Sequence, residues 1–137
     1  MRDKLFIDTN ILIYLYSNSE REKQAIVKNI LFEREIEITI STQVIGEFSS
    51  ILYRKYNHSI EIIKWAINDF KNNFSIRVIE TGTVEKALEI MDTYKYSFWD
   101  SLIMASAIES NCTILYTEDC QHNQVVENQL RIVNPFK

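Results

Sequence analysis

The chain has 137 residues, 46% hydrophobic and 25% charged, proportions that fit one globular domain and leave little room for a second core. It contains only two glycines, Gly46 and Gly82, so neither a Walker loop nor a G-x-G-x-x-G turn exists to cradle phosphate on bare backbone. Lys and Arg total 15 against 19 Asp and Glu, a net charge of −4, which excludes the broad basic footprint of a packaging protein but not an enzyme that holds nucleic acid through bound cations.

Taken in chain order, residues 4–8 (KLFID) read as a short buried strand followed by an apolar helix through Ile11, Leu12 and Leu15. Ser19-Glu20-Arg21-Glu22 has the capping-box form and opens a second helix carrying Ile26, Val27, Ile30 and Leu31. Ile36, Ile38 and Ile40 then alternate with Glu35, Glu37 and Thr39 at the two-residue period of a strand. Thr42 is placed to cap a helix to about Tyr56, and Ser59 to cap another through Ile62, Ile63, Ala66 and Phe70. Residues 75–80 (SIRVIE) form the third expected strand, Thr83 starts a helix to about Tyr94, and residues 98–110 form a further helix. Residues 113–117 are the fourth strand and 131–133 a short fifth. Strands separated by helices imply right-handed crossovers, so the expected class is α/β, a three-layer α/β/α arrangement with a mostly parallel central sheet of four to five strands in one domain.

Cys112 and Cys120 flank the fourth strand, whose extended length exceeds the ~7 Å Cα separation that a disulfide allows, so two free thiols and a reducing compartment are expected. Arg2 and Lys4 precede an apolar run, but Asp8 and Asn10 interrupt it and no small-residue cleavage site follows, which weighs against a signal peptide. No apolar run reaches the ~20 residues of a membrane span, and the expected location is the cytoplasm.

In open parallel sheets the ligand crevice lies at the carboxyl ends of the strands. Asp8 closes the first strand and Asp119 stands just past the fourth, so both project from that edge. Asp100 opens an apolar helix, and Glu47 lies beside the apolar face formed by Val44, Phe48, Ile51 and Leu52. Each acid alone has an ordinary explanation as a helix cap, a turn former or a solvated helix residue. Asp8 is the hardest to explain so, because a carboxylate between an apolar strand and an apolar helix is poorly solvated unless something pairs with it. No lysine or arginine adjoins Asp8, Asp100 or Asp119 in sequence, whereas Mg²⁺ or Mn²⁺, which prefer oxygen ligands, would offset four converging carboxylates. Phosphodiester hydrolysis is the chemistry that such an acidic pocket supports.

Four segments in order resemble the PIN domain, in particular the single-domain ribonuclease toxins of VapBC-type toxin–antitoxin pairs: Phe6-Ile7-Asp8-Thr9-Asn10, Gln43-Val44-Ile45-Gly46-Glu47-Phe48, Trp99-Asp100-Ser101-Leu102-Ile103-Met104-Ala105, and Leu115-Tyr116-Thr117-Glu118-Asp119. The resemblance implies that Asp8, Glu47, Asp100 and Asp119 are catalytic and bind one or two Mg²⁺ or Mn²⁺ ions, with Thr9, Asn10 and Thr117 orienting the carboxylates. It leaves the base toward the attacking water as either Asp100 or Asp119. It further implies endonucleolytic cleavage of RNA to 5′-phosphate and 3′-hydroxyl ends, a cognate antitoxin partner and a homodimer. The alternative is a catalytically silent PIN-like module that acts by binding a protein or RNA.

Other residues rank lower. His58 and His122 are too isolated for a zinc site, and His122 is expected at the surface, three residues after Asp119. Tyr94, Tyr96, Phe98 and Trp99 are candidates for base stacking, though such clusters more often serve a core or interface; Arg54, Lys55 and Lys64 are candidates for a basic rim. A haloacid-dehalogenase-type phosphatase would need a second acid where Asn10 stands, and a receiver domain would need paired acids before its central aspartate.

Overall fold

The computed structural model describes residues 3–33 and 35–137, so Arg2, part of the weakly basic start, lies outside the described residues, with Met1 and Arg34. Six strands, β1 (Asp3–Ile7), β2 (Ile36–Ser41), β3 (Ser75–Arg77), β4 (Ile114–Tyr116), β5 (Val125–Val126) and β6 (Leu130–Val133), form one sheet in the order β3-β2-β1-β4-β6-β5. All pairings are parallel except β5 with β6. The helices are α1 (Thr9–Ile13), α2 (Arg21–Leu31), α3 (Thr42–Arg54), α4 (Ile60–Asn73), α5 (Thr81–Tyr94) and α6 (Phe98–Glu109), with a 3₁₀ turn at Tyr14–Tyr16.

Successive strand residues point to opposite faces, and Phe6 and Ile7 are both fully buried, so both faces of β1 are covered. For the same reason Thr39, on the polar side of the β2 alternation, is buried as well. Residues Ser101 to Ala107 of α6 are all buried, as expected of a helix that is apolar all round and lies inside the fold.

Several boundaries differ from the sequence reading. The expected capping box at Ser19 does not form: α2 starts at Arg21 after Glu20, whose side chain makes no capping bond, while the Ser19 and Ser17 hydroxyls pair at 3.1 Å. Ser41 rather than Thr42 caps α3, accepting from the Val44 N–H, while Thr42 Oγ1 accepts from the Ile79 N–H. β3 stops at Arg77, and α5 begins at Thr81, its start tied by a hydrogen bond from the Glu80 N–H to Thr83 Oγ1. β5 is additional: Glu127 and Asn128 both take φ near 55°, the primed-turn conformation that returns a hairpin, with no glycine to announce it. Both cysteines are free, Cys112 buried and Cys120 half-buried. No helix among the described residues is long and apolar enough to cross a membrane.

Candidate active site

The strand order reverses between β1 and β4: from β1 the chain moves outward to β2 and β3, then returns to place β4 on the other side of β1. A crevice opens at the carboxyl ends of such a pair because the flanking helices leave in opposite directions. The Asp8 N–H donates to the Tyr116 carbonyl at 3.0 Å and fixes Asp8 at this junction. A cleft of about 530 Å³ lies there, lined by Asp8, Glu47, Asp100 and Asp119 together with Thr9, Asn10, Gln43 and Arg54. The four acids thus arrive from the end of β1, from α3, from the first turn of α6 and from the loop after β4.

Polar side chains aim three of these carboxylates. Thr117 Oγ1 donates to Asp8 Oδ2 and Thr9 Oγ1 to Glu47 Oε1, both at 2.7 Å, while Asn10 Nδ2 donates to Asp119 Oδ2 at 2.8 Å. The Thr9 N–H also donates to Asp8 Oδ1 at 2.7 Å, so Asp8 caps α1 as well as facing the cleft. Ser97 caps α6 by accepting from the Asp100 N–H at 3.1 Å. Beside Asp119, the Glu118 carboxylate accepts from Tyr14 Oη at 2.6 Å and from Lys23 Nζ at 2.7 Å, anchoring this loop to the 3₁₀ turn and α2.

Asp8 is only 7% exposed. Burial pushes its carboxyl up to about 6, the hydrogen bonds from Thr117 and the Thr9 N–H pull it back, and the charges of Glu47 and Asp119 add to the rise. Asp100 is likewise raised, first by burial and then by Asp119, against the lowering effect of Ser97. The Cys120 thiol is pushed up to about 12 by burial and then by Asp100, Asp8 and Asp119, so it stays neutral among the acids. Among the described residues, Arg54 is the only lysine or arginine lining the cleft.

The sequence reading expected the carboxylates to converge on a shared ion. As placed, they line one cleft without meeting at one point: among the described residues no three Asp, Glu, His or Cys side chains are grouped to hold a metal. Each of Asp8, Glu47 and Asp119 instead turns toward its own donor. The donor chemistry still suits a hard cation, because the candidates are all oxygens and, among the described residues, buried Asp8 makes no ion pair. Two further oxygens, Asn10 Oδ1 and Gln43 Oε1, are buried without a hydrogen-bond partner beside these acids.

His122 does not face the cleft; half-buried, it accepts the Asn134 N–H at 2.9 Å through Nδ1 and ties down the C-terminal segment. Gln43 and Ser50 were overlooked as lining residues, although Gln43, Glu47, Ser50 and Arg54 follow the i, i+4, i+7, i+11 spacing of one helix face. Gln43 Nε2 links α3 to α6 through the Trp99 carbonyl at 3.2 Å.

Comparisons with known proteins agree with this topology. The toxin–antitoxin complex from Klebsiella pneumoniae contains a chain 22% identical to this one, with a TM-score of 0.71 over 96% of this chain and 97% of that one. VapC20 of Mycobacterium tuberculosis, a sarcin–ricin-loop-cleaving toxin, gives 21% identity and a TM-score of 0.69 over 84% and 89% of the two chains. VapBC2 of Rickettsia felis, bound to a DNA fragment from its promoter, gives 17% and 0.61 over 96% and 99%. At these identities the likeness is one of fold. No curated protein matches the chain. The PIN-domain pattern, however, matches residues 5–128, a span that holds all four acids and every strand but β6 in whole or in part, and the chain belongs to the PIN-domain family.

Proposed function

We propose that the protein is a divalent-metal-dependent endoribonuclease in which Asp8, Glu47, Asp100 and Asp119 hold Mg²⁺ or Mn²⁺. The observation that carries this reading is the arrival of four carboxylates from four separate elements in one cleft at the switch point of the sheet. A cation bound there supplies an acidified water and neutralises charge on the attacked phosphate. The chain's own contribution is positioning: Thr117, Thr9 and Asn10 aim Asp8, Glu47 and Asp119, and Ser97 fixes the turn that carries Asp100. Asp119 is exposed and Glu47 half-buried, whereas Asp8 is buried between β1 and α1. The fold shared with VapC toxins supports a toxin role with a cognate antitoxin partner, and the same proposal has the protein act as a homodimer in the cytoplasm.

The test is cleavage of RNA by the purified protein with Mg²⁺ or Mn²⁺ and its loss in EDTA, with Asp8→Asn and Asp100→Asn each abolishing activity. A second reading, a catalytically silent binding module, draws on the separation of the carboxylates. Cleavage that survives both substitutions ends the metal-site assignment, and a parent protein inert with every divalent metal favours the silent module.

A further inference from the structure

The sequence offers four aromatic and three cationic side chains as nucleic-acid contacts, and the fold sorts them. Tyr94, Tyr96 and Phe98 pack half-buried against the core. Lys55 lies over the Tyr56 ring, and Lys64 is a solvated residue of α4; neither lines the acidic cleft. Trp99, 61% exposed, and Arg54 do line it.

Resting on the nuclease reading above, we propose that Trp99 and Arg54 form a grip for single-stranded RNA, in which Trp99 stacks on an unpaired base beside the scissile bond and Arg54 binds a neighbouring phosphate. Trp99 immediately precedes Asp100, so its indole stands where the acids begin. The Phe98 ring meets the indole edge-on at 5.0 Å, and the Trp99 backbone carbonyl accepts from Gln43 Nε2, which ties the first turn of α6 to α3. The indole nevertheless remains mostly in solvent, where its burial would be gained only by covering it with another flat group. Arg54 lies seven residues beyond Glu47 on the same face of α3, about 10 Å along the helix axis. Its Nε donates to Ser50 Oγ at 3.0 Å, and among the described residues it makes no ion pair, which leaves the guanidinium fork for a phosphate. Ile51 and Ile103 give the cleft an apolar floor. A paired base has both faces covered by its neighbours in the helix, so this arrangement selects an unpaired one.

Trp65 and Trp99 are the only tryptophans, so Trp65→Phe leaves Trp99 as the sole indole reporter in the full chain. In Mg²⁺, with the signal read before cleavage proceeds, a short single-stranded oligoribonucleotide should quench Trp99 fluorescence, and the matching duplex or an abasic oligomer should not. Trp99→Ala should raise KM about 5- to 150-fold with a smaller change in kcat, and Trp99→Phe should recover much of the loss. Arg54→Ala should weaken binding to all single strands alike and reduce the salt slope by about one ion. The grip is overturned if Trp99 is not quenched at RNA concentrations that saturate cleavage, or if Trp99→Ala leaves KM unchanged; the nuclease reading would survive either result. Conversely, quenching by single strands in a protein that cleaves nothing would retain the grip and reject the nuclease.

Discussion

Asp8→Asn removes a negative charge from a position that is 7% exposed and has Glu47 and Asp119 nearby. The carboxyl lies at about 6 in the folded protein against an ordinary 3.8, a difference of about 2 units, or about 3 kcal/mol at 1.36 kcal/mol per unit. Between these values the native state keeps a proton that the unfolded chain has lost, so stability falls as pH rises through the window and the full cost is present above pH 6. Asparagine does not titrate. The stability of the variant relative to the parent should therefore increase by about 2–3 kcal/mol from pH 4 to pH 8 in EDTA, since at pH 4 the unfolded Asp is already about half ionised. The amide adds an N–H pair where Thr117 Oγ1 is the nearest partner, a mismatch worth about 1–2 kcal/mol. At pH 8 the variant should thus melt about 3–6 °C above the parent, at about 3 °C per kcal/mol for a chain of this size. Thermal melts by circular dichroism across that pH range provide the assay. Millimolar Mn²⁺ should then raise the melting temperature of the parent and not that of the variant. A stability difference that does not vary with pH, or a variant melting well below the parent at pH 8 in EDTA, would show that the Asp8 charge does not cost the fold stability and refute the reasoning.

Thr117→Val deletes the hydroxyl that supports the charged form of Asp8, so the acid limb of the cleavage profile should move about one unit toward higher pH, with about 1.5–3 kcal/mol lost at pH 8 in urea titration. An acid limb that stays in place would separate Asp8 from catalysis. Ser97→Ala removes the α6 cap and should lower the urea midpoint by the equivalent of about 1 kcal/mol with an unchanged m value. The same substitution should raise the Asp100 carboxyl further, since Ser97 lowers it; a midpoint equal to the parent's would argue that the cap is dispensable.

The order of elements was legible because hydrophobic period is a local property: the alternation of Ile36, Ile38 and Ile40 with Glu37 and Thr39 and the apolar run of α6 declare their type without a partner. Helix starts were less legible, since several polar residues near a boundary compete for one N–H; Ser41 displaced Thr42, and Ser19 paired with Ser17 instead of capping. β5 escaped notice because Val125–Val126 is too short to show a period and its turn is built on Glu127 and Asn128 rather than glycine.

What the chain determined by itself was the α/β class and the placement of Asp8 and Asp119 at the carboxyl ends of β1 and β4, because strand direction and chain order follow from local patterning. Tertiary structure decided that Glu47 and Asp100 share their cleft, that Arg54 and Trp99 stand at its wall, and that Thr9, Asn10 and Thr117 each serve a different carboxylate. These relations join residues 38 to 109 positions apart. They depend on the order of strands in the sheet and on which helix face turns inward, both set by packing over the whole core and not by any local spacing.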